Sequence, residues 1–485
     1  MFLTHRMRPL ALACTLALEL GAQDAEMEER LYLSGERAYA TRAYAEAFET
    51  WGQLLQAAPK SLLAAQALLR MARHRLETEK KPDEAMPLLD RLKAEHLQSA
   101  SAAEGLLLRG RILASRSRKP QDLREAIAEF NRVLDLFPDH PAVQSARYQL
   151  GLAYRMQGQW GRALQNFADA MRLDPASPVV PQAQFQAAEV LDILGDLPGC
   201  LRLLQGIRNR YPQTPEAAEA AWRIAVRVKL RIQKAPMKSQ GPWPQGKQKW
   251  LKTPTLLATD AEGRLIIYQD DLDQAFLLQG TELVPASPAG RSAKVLVPGP
   301  EGKVWTVSPK TGLVKPDAPA MGLGAFSSPT GAFVDGWKTL WVGDSKASAI
   351  GLFPLGGEPR TIPSPSAVGL VPMPDGGAVL ASDTNRALLF LDASGQPRLT
   401  VPYGRNFPAP FRYVLSLCSD PLGDVAAIVD GDFEGVAVWG PDGTLLRCAT
   451  FKALGLSGKF RAVALDRQGC LILADRTNDV LIRVD

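Results

Sequence analysis

The sequence predicts a multidomain chain of two architectures: an α-helical solenoid over residues 24–233 and, after a linker at 234–247, an all-β six-bladed propeller over 248–485. Three observations predict it. Residues 149–175 read as one helix-turn-helix unit, in which small Gly151, Ala163 and Ala170 alternate with bulky Leu150, Tyr154, Trp160 and Phe167. Pro138, Pro175 and Pro212 recur 37 residues apart. Beyond the linker, the apolar period changes from helical to alternating, and Gly, Pro and Asp interrupt short runs.

The first residues, MFLTHRMRPLALACTLALELGAQ, place Arg6 and Arg8 before an apolar run from Leu10 to Leu18, with small Gly21 and Ala22 behind it. That order reads as a signal peptide, residues 1–22, cut near Ala22. Cys14 is not read as a lipid-bearing cysteine, because a cut there would leave the apolar TLALEL on the mature chain. No later run is apolar enough to span a bilayer. The expectation is an exported protein of the periplasm or cell envelope.

Within the solenoid, Leu150, Gly151, Tyr154, Trp160, Ala163, Phe167, Ala170 and Pro175 stand at the offsets of the tetratricopeptide repeat, and the unit resembles that family. Gly35, Tyr44, Ala47, Trp51 and Leu54 repeat the pattern upstream. A second repeat fits with one residue inserted in ETEKKPDEA, and a third with four extra in SRSRKPQDL. Ala188, Gly195, Cys200, Leu204, Ile207 and Pro212 make the fifth. The long period and turns such as DPASPVVPQAQF resemble the exported repeats of the Tol-Pal envelope system and of the outer-membrane assembly lipoprotein. TPEAAEAAWRIAVRVKLRI, residues 214–232, is expected to cap the stack.

A solenoid of this kind has a groove lined by its first helices. By register the candidate partner-binding residues are Tyr32, Tyr39, Arg73, Arg111, Tyr148, Leu152, Arg155, Met156, Phe185 and Glu189. Aromatic anchors and arginines suit a protein or peptide segment. Residues 1–250 carry 35 Lys and Arg against 27 Asp and Glu, whereas the remainder carries 21 against 24, so an acidic protein partner is expected. No nucleic-acid motif accompanies the mild basic excess.

In the second half a unit recurs: a turn ending in Gly, an apolar strand, often an Asp, then another strand. Six such units in 235 residues match the roughly 40 residues of a four-stranded blade. ASDTNRALLFLDASG and ADRTNDVLIRVD resemble the NHL class of β-propeller repeats. The last unit ends at Asp485 one strand short, and QKWLKT, residues 248–253, is expected to cross over and complete it.

Asp344, Asp383, Asp430 and Asp475 fall at the same place in their units, either capping turns or forming a ring for a cation. All four histidines precede the propeller, which excludes a histidine-ligated metal site there. No nucleophile elbow, phosphate loop or zinc pair is present, and no cofactor is called for. A non-enzymatic scaffold is therefore expected. The alternative is a lyase- or hydrolase-type enzyme, or a calcium or small-ligand sensor, centred on the propeller. Cys418, Cys448 and Cys470 leave any disulfide open.

Overall fold

The computed structural model describes residues 25–485 apart from 235, 245–250, 261, 288–291, 300–302, 311, 316–317, 325 and 355–357. The leader, with Arg6, Arg8, Cys14 and the expected cut near Ala22, lies outside the described residues. The chain divides into two compact units, the first ending at Ala183 and the second beginning at Gln184.

Eleven helices are described. They are α1 (25–40), α2 (Tyr44–Ala57), α3 (Leu62–Arg73), α4 (Pro82–Glu95), α5 (Ala100–Arg116), α6 (Leu123–Leu136), α7 (Ala142–Met156), α8 (Trp160–Leu173), α9 (Val179–Ile193), α10 (Leu197–Arg210) and α11 (Pro215–Arg227). Local chemistry sets several starts: Ser61 and Ser99 accept backbone N–H groups of Leu63 and Ala102, and Asp196 accepts that of Gly199. Small residues then set the helix spacing. A Cβ added to Gly151 would stand 2.4 Å from the Phe167 ring, and one on Gly110 2.4 Å from Phe130, so only glycine admits the buried aromatic of the partner helix.

The irregular repeats keep their register by local rewinding. Residues His74–Thr78, at the end of α3, form a π-helical turn, which absorbs an extra residue before α4. The longer insertion before α6 contains a 3₁₀ turn, Pro120–Asp122. The expected capping helix ends its α-helical part at Arg227 and continues as a π-helical turn, Val228–Gln233. It does not simply close the stack. Val226 and Leu230 pack on Leu422 of the propeller, with Trp222 and Leu446 around them.

The strands form six four-stranded antiparallel sheets. The strand β1 (Ser239–Pro242) precedes the first complete blade, β2–β5 (Pro254–Thr259, Leu265–Gln269, Gln274–Gln279, Glu282–Pro285). Blade two is β6–β9 (Val295–Pro298, Val304–Ser308, Gly312–Lys315, Ala318–Met321), and blade three β10–β13 (Pro329–Val334, Thr339–Asp344, Ala349–Pro354, Arg360–Pro363). Blade four is β14–β17 (Gly369–Pro372, Ala378–Ser382, Ala387–Leu391, Pro397–Pro402). Blade five is β18–β21 (Phe411–Ser419, Val425–Gly431, Gly435–Trp439, Leu445–Thr450), and β22–β24 (Phe460–Leu465, Leu471–Asp475, Val480–Val484) begin blade six. The innermost strands contact one another in cyclic order, β2 to β6 and so on round to β22 and back to β2. Apolar clusters fill the six seams between adjacent blades.

The ring does close with an N-terminal strand, but not the expected one. β1 pairs with β24, Ser239 opposite Val484 and Pro242 opposite Ile482, and Lys238 and Asp485 exchange backbone hydrogen bonds at 3.0 and 2.8 Å. The closing strand thus lies inside the stretch read as linker. Proline is tolerated there because the missing N–H belongs to an edge strand. Of the expected segment, Leu251 instead fills the seam between blades one and six, beside Leu265, Ile472 and Leu481; Gln248 to Trp250 lie outside the described residues.

Candidate functional site

The groove candidates fall into two groups. Several are occupied within a repeat or in joining neighbouring ones. Tyr39 packs its ring against Tyr44, Trp51 and His74, and its hydroxyl lies 3.3 Å from His74 Nδ1. Tyr32 is half-buried beside the Arg70–Glu36 ion pair at 2.6 Å, and burial together with the Glu36 charge pushes its phenol up. Arg73 is ion-paired with Glu104 on α5. Tyr148 lies with its ring 6.0 Å from that of Phe167.

The others differ in exposure. Arg111 on α5 is exposed, Leu152 and Arg155 on α7 are half-buried, and Met156 is 41% exposed. Phe185 and Glu189 belong to the second unit. Phe185 lies under the Arg223 guanidinium, 5.0 Å from ring centre. Glu189 is a correction: it is buried and paired with Arg223 at 2.7 Å and Arg227 at 3.1 Å, because a carboxylate taken out of water needs cations within reach.

That pairing belongs to a buried cluster which the register argument missed. Arg227 is fully buried and also contacts Asp192 at 2.8 Å. Arg231 bridges Asp192 at 2.7 Å to Asp424 at 3.0 Å in the first turn of blade five, and donates to the Leu422 carbonyl at 2.8 Å. With Asp420 alongside, four carboxylates face three guanidiniums. Burial pushes the Asp424 carboxyl up to about 7, the Asp420 charge adds to the rise, and Arg231 opposes it. The legible signal was Arg223, Arg227 and Arg231 at four-residue spacing, one face of one helix.

The four propeller aspartates are not a shared ion site. Asp344 is completely buried and accepts the N–H groups of Ser328, Lys346 and Ala347 at 2.6 to 3.0 Å. Asp475 accepts those of Thr477 and Asn478. Asp383 reaches Val414 N of the next blade at 3.2 Å, and burial raises its pKa. Asp430 stands within β19 opposite Tyr413. Among the described residues, no three His, Cys, Asp or Glu side chains are grouped so as to hold a metal ion. Cys200, Cys418, Cys448 and Cys470 are free thiols, and burial pushes that of Cys200 up to about 12.

The propeller does enclose a cavity of about 400 Å³ along its axis, lined by residues from the innermost strands of all six blades or adjoining them. Leu256, Leu296, Phe333, Leu370 and Leu417 supply apolar wall, and Lys294 and Arg461 are the charged side chains in the described lining.

Comparison with protein-family models matches residues 118–176 to a tetratricopeptide repeat. No curated protein matches the chain. Solved structures similar to it include a streptogramin B lyase, at 11% identity over 51% of this chain and 97% of that one, TM-score 0.34. PilW, a type IV pilus biogenesis factor, is 17% identical over 43% and 89%, TM-score 0.33. A gluconolactonase from Xanthomonas campestris is 13% identical over 52% and 94%, TM-score 0.38. The chain therefore carries an N-terminal helical tetratricopeptide-repeat region followed by a six-bladed β-propeller.

Proposed function

We propose that this protein is an exported, non-catalytic interaction scaffold of the bacterial cell envelope. Its repeat region binds a protein or peptide segment, and its propeller offers a second surface. The observation that carries the reading is the contrast among groove candidates: Arg111 and Met156 stand exposed on the first helices of neighbouring repeats, while Arg73 is tied to the adjoining repeat. An exposed cation on one first helix, with an exposed thioether and half-buried Leu152 on that of the following repeat, suits a segment with an acidic residue and an apolar anchor. Export is supported by the basic and apolar order of the leader, and by its resemblance to envelope repeats.

The test is in-cell crosslinking in the native host with the wild type and with Arg111→Glu plus Met156→Asp. Loss of an envelope partner at an unchanged melting temperature supports the groove; retention of every crosslink refutes it. A protein found in the cytoplasm with its leader intact refutes the envelope assignment. The second reading, an enzyme or ligand sensor recruited by the helices, is favoured by one observation, the axial cavity.

A further inference from the structure

Four antiparallel strands return the chain to the end it left, so the innermost strands of successive blades all begin at one mouth of the axial cavity. At that mouth four of the six are irregular. Register shifts fall between Pro254 and Leu256, Pro329 and Gly331, Phe411 and Tyr413, and Phe460 and Ala462. The intervening residues are Thr255, Thr330, Arg412 and Arg461. A bulge leaves its extra residue out of the ladder and re-aims its side chain, a device common at barrel rims.

Two of the four are occupied: Thr255 donates to Asp270 at 2.9 Å, and Thr330 to the Ala367 carbonyl at 2.8 Å. Arg461 instead lines the cavity, as does Lys294, which immediately precedes β6 in unbulged blade two. Both are exposed, and neither has an ion-pair partner among the described residues. No Asp or Glu belongs to the described lining. Of the aspartates at the same end of the blades, Asp344 and Asp475 are engaged by turn amides, Asp383 by Val414 N, and Asp270 by Thr255 and Arg476, while Asp430, opposite Tyr413 on β19, is not part of the described lining.

We propose that the propeller cavity binds a small carboxylate with an apolar body, its anionic head between Lys294 and Arg461 and its body against the leucine-rich wall. The volume lies in the range of small-ligand sites. Two cations without a resident acid make the mouth selective for an anion, opposite in sign to a carboxylate ring for calcium. The site is independent of the groove, and either can fail alone.

The experiment is calorimetric titration of the full-length protein with octanoate, using octylamine and octanol as probes of equal length. Saturable one-to-one binding of octanoate, with octylamine silent and octanol at least about tenfold weaker, is expected. Lys294→Met and Arg461→Met should each weaken octanoate by about tenfold, since each removes one charge-assisted contact, while Arg461→Lys retains most of the affinity. Both side chains are exposed, and the melting temperature of each variant verifies its fold. Failure of octanoate to bind, equal binding of octylamine, or affinity unmoved by both methionine variants overturns the proposal.

Discussion

In the helical region a carboxylate reaches a cation about one repeat away: Glu36 meets Arg70, Glu129 meets Lys93, and Glu189 meets Arg223, each pair 34 to 36 residues apart. In the propeller it reaches backbone N–H groups a few residues away. Asp335 accepts from Trp337 and Thr339, Asp420 from Leu422 and Asp424, Asp466 from Gln468 and Cys470. The difference follows from the backbone. Helix interiors satisfy their own N–H groups, so side chains are released to tie neighbouring repeats, whereas tight turns leave amides that a short carboxylate must cap. Helical stability is thus distributed over nearest-neighbour joints. The propeller depends on its turns and on one long-range closure.

That contrast can be broken most severely at the closure. Deleting Ser239–Pro242 removes β1 and exposes the edge of β24, and should lower the propeller's melting temperature by about 10 °C or more. Deletion of the four exposed residues 118–121 from the insertion before α6 should cost much less. Calorimetry on both variants checks the ranking; equal shifts would refute the special role of β1.

The Arg231–Asp424 contact is where the two habits meet, a helix cation reaching a propeller turn. The folded protein raises Asp424 from an ordinary 3.8 to about 7, so folding takes up a proton between those values. This group's contribution to stability is therefore greatest at low pH and falls as pH rises from about 4 to about 7. Asp424→Asn cannot ionise and lacks that slope. Relative to wild type it should be most destabilising at pH 5 and less so at pH 8, by more than about 1 kcal/mol. Urea melts at the two pH values decide it, and a difference independent of pH would contradict the assigned direction.

A smaller pair of effects sharpens the comparison. Asp344→Ala strands three amides in blade three and should cost about 1–3 kcal/mol. Arg116→Ala removes an exposed inter-repeat pair with Asp83 and should cost under about 0.5 kcal/mol. Chemical denaturation followed separately in each region measures both.

Much of the fold was legible because repeat signals are short-range. Gly151 and Phe167 announce a close helix pair because they meet within one unit, and Gly263, Gly376, Gly423 and Gly469 announce blades because positive φ is a local demand of the turn. The candidate sites were less legible. Tyr39, Arg73 and Glu189 occupy the expected register positions, yet their surroundings are set by His74, Glu104 and Arg227, none within the same helix. Asp344 and Asp383 look alike in sequence, and only the turn amides around one and the next blade beside the other distinguish them.

By itself the sequence determined the two periods, the number of units, and the need for an extra strand to complete the last blade. The tertiary structure alone decided which strand that is, which arginines are buried against Asp192 and Asp424, and which cations are left facing the cavity. The physical reason is range. Backbone periodicity and turn chemistry act over a few residues, whereas burial and charge pairing depend on partners that only folding brings together, here up to 256 positions apart between Lys229 and Asp485.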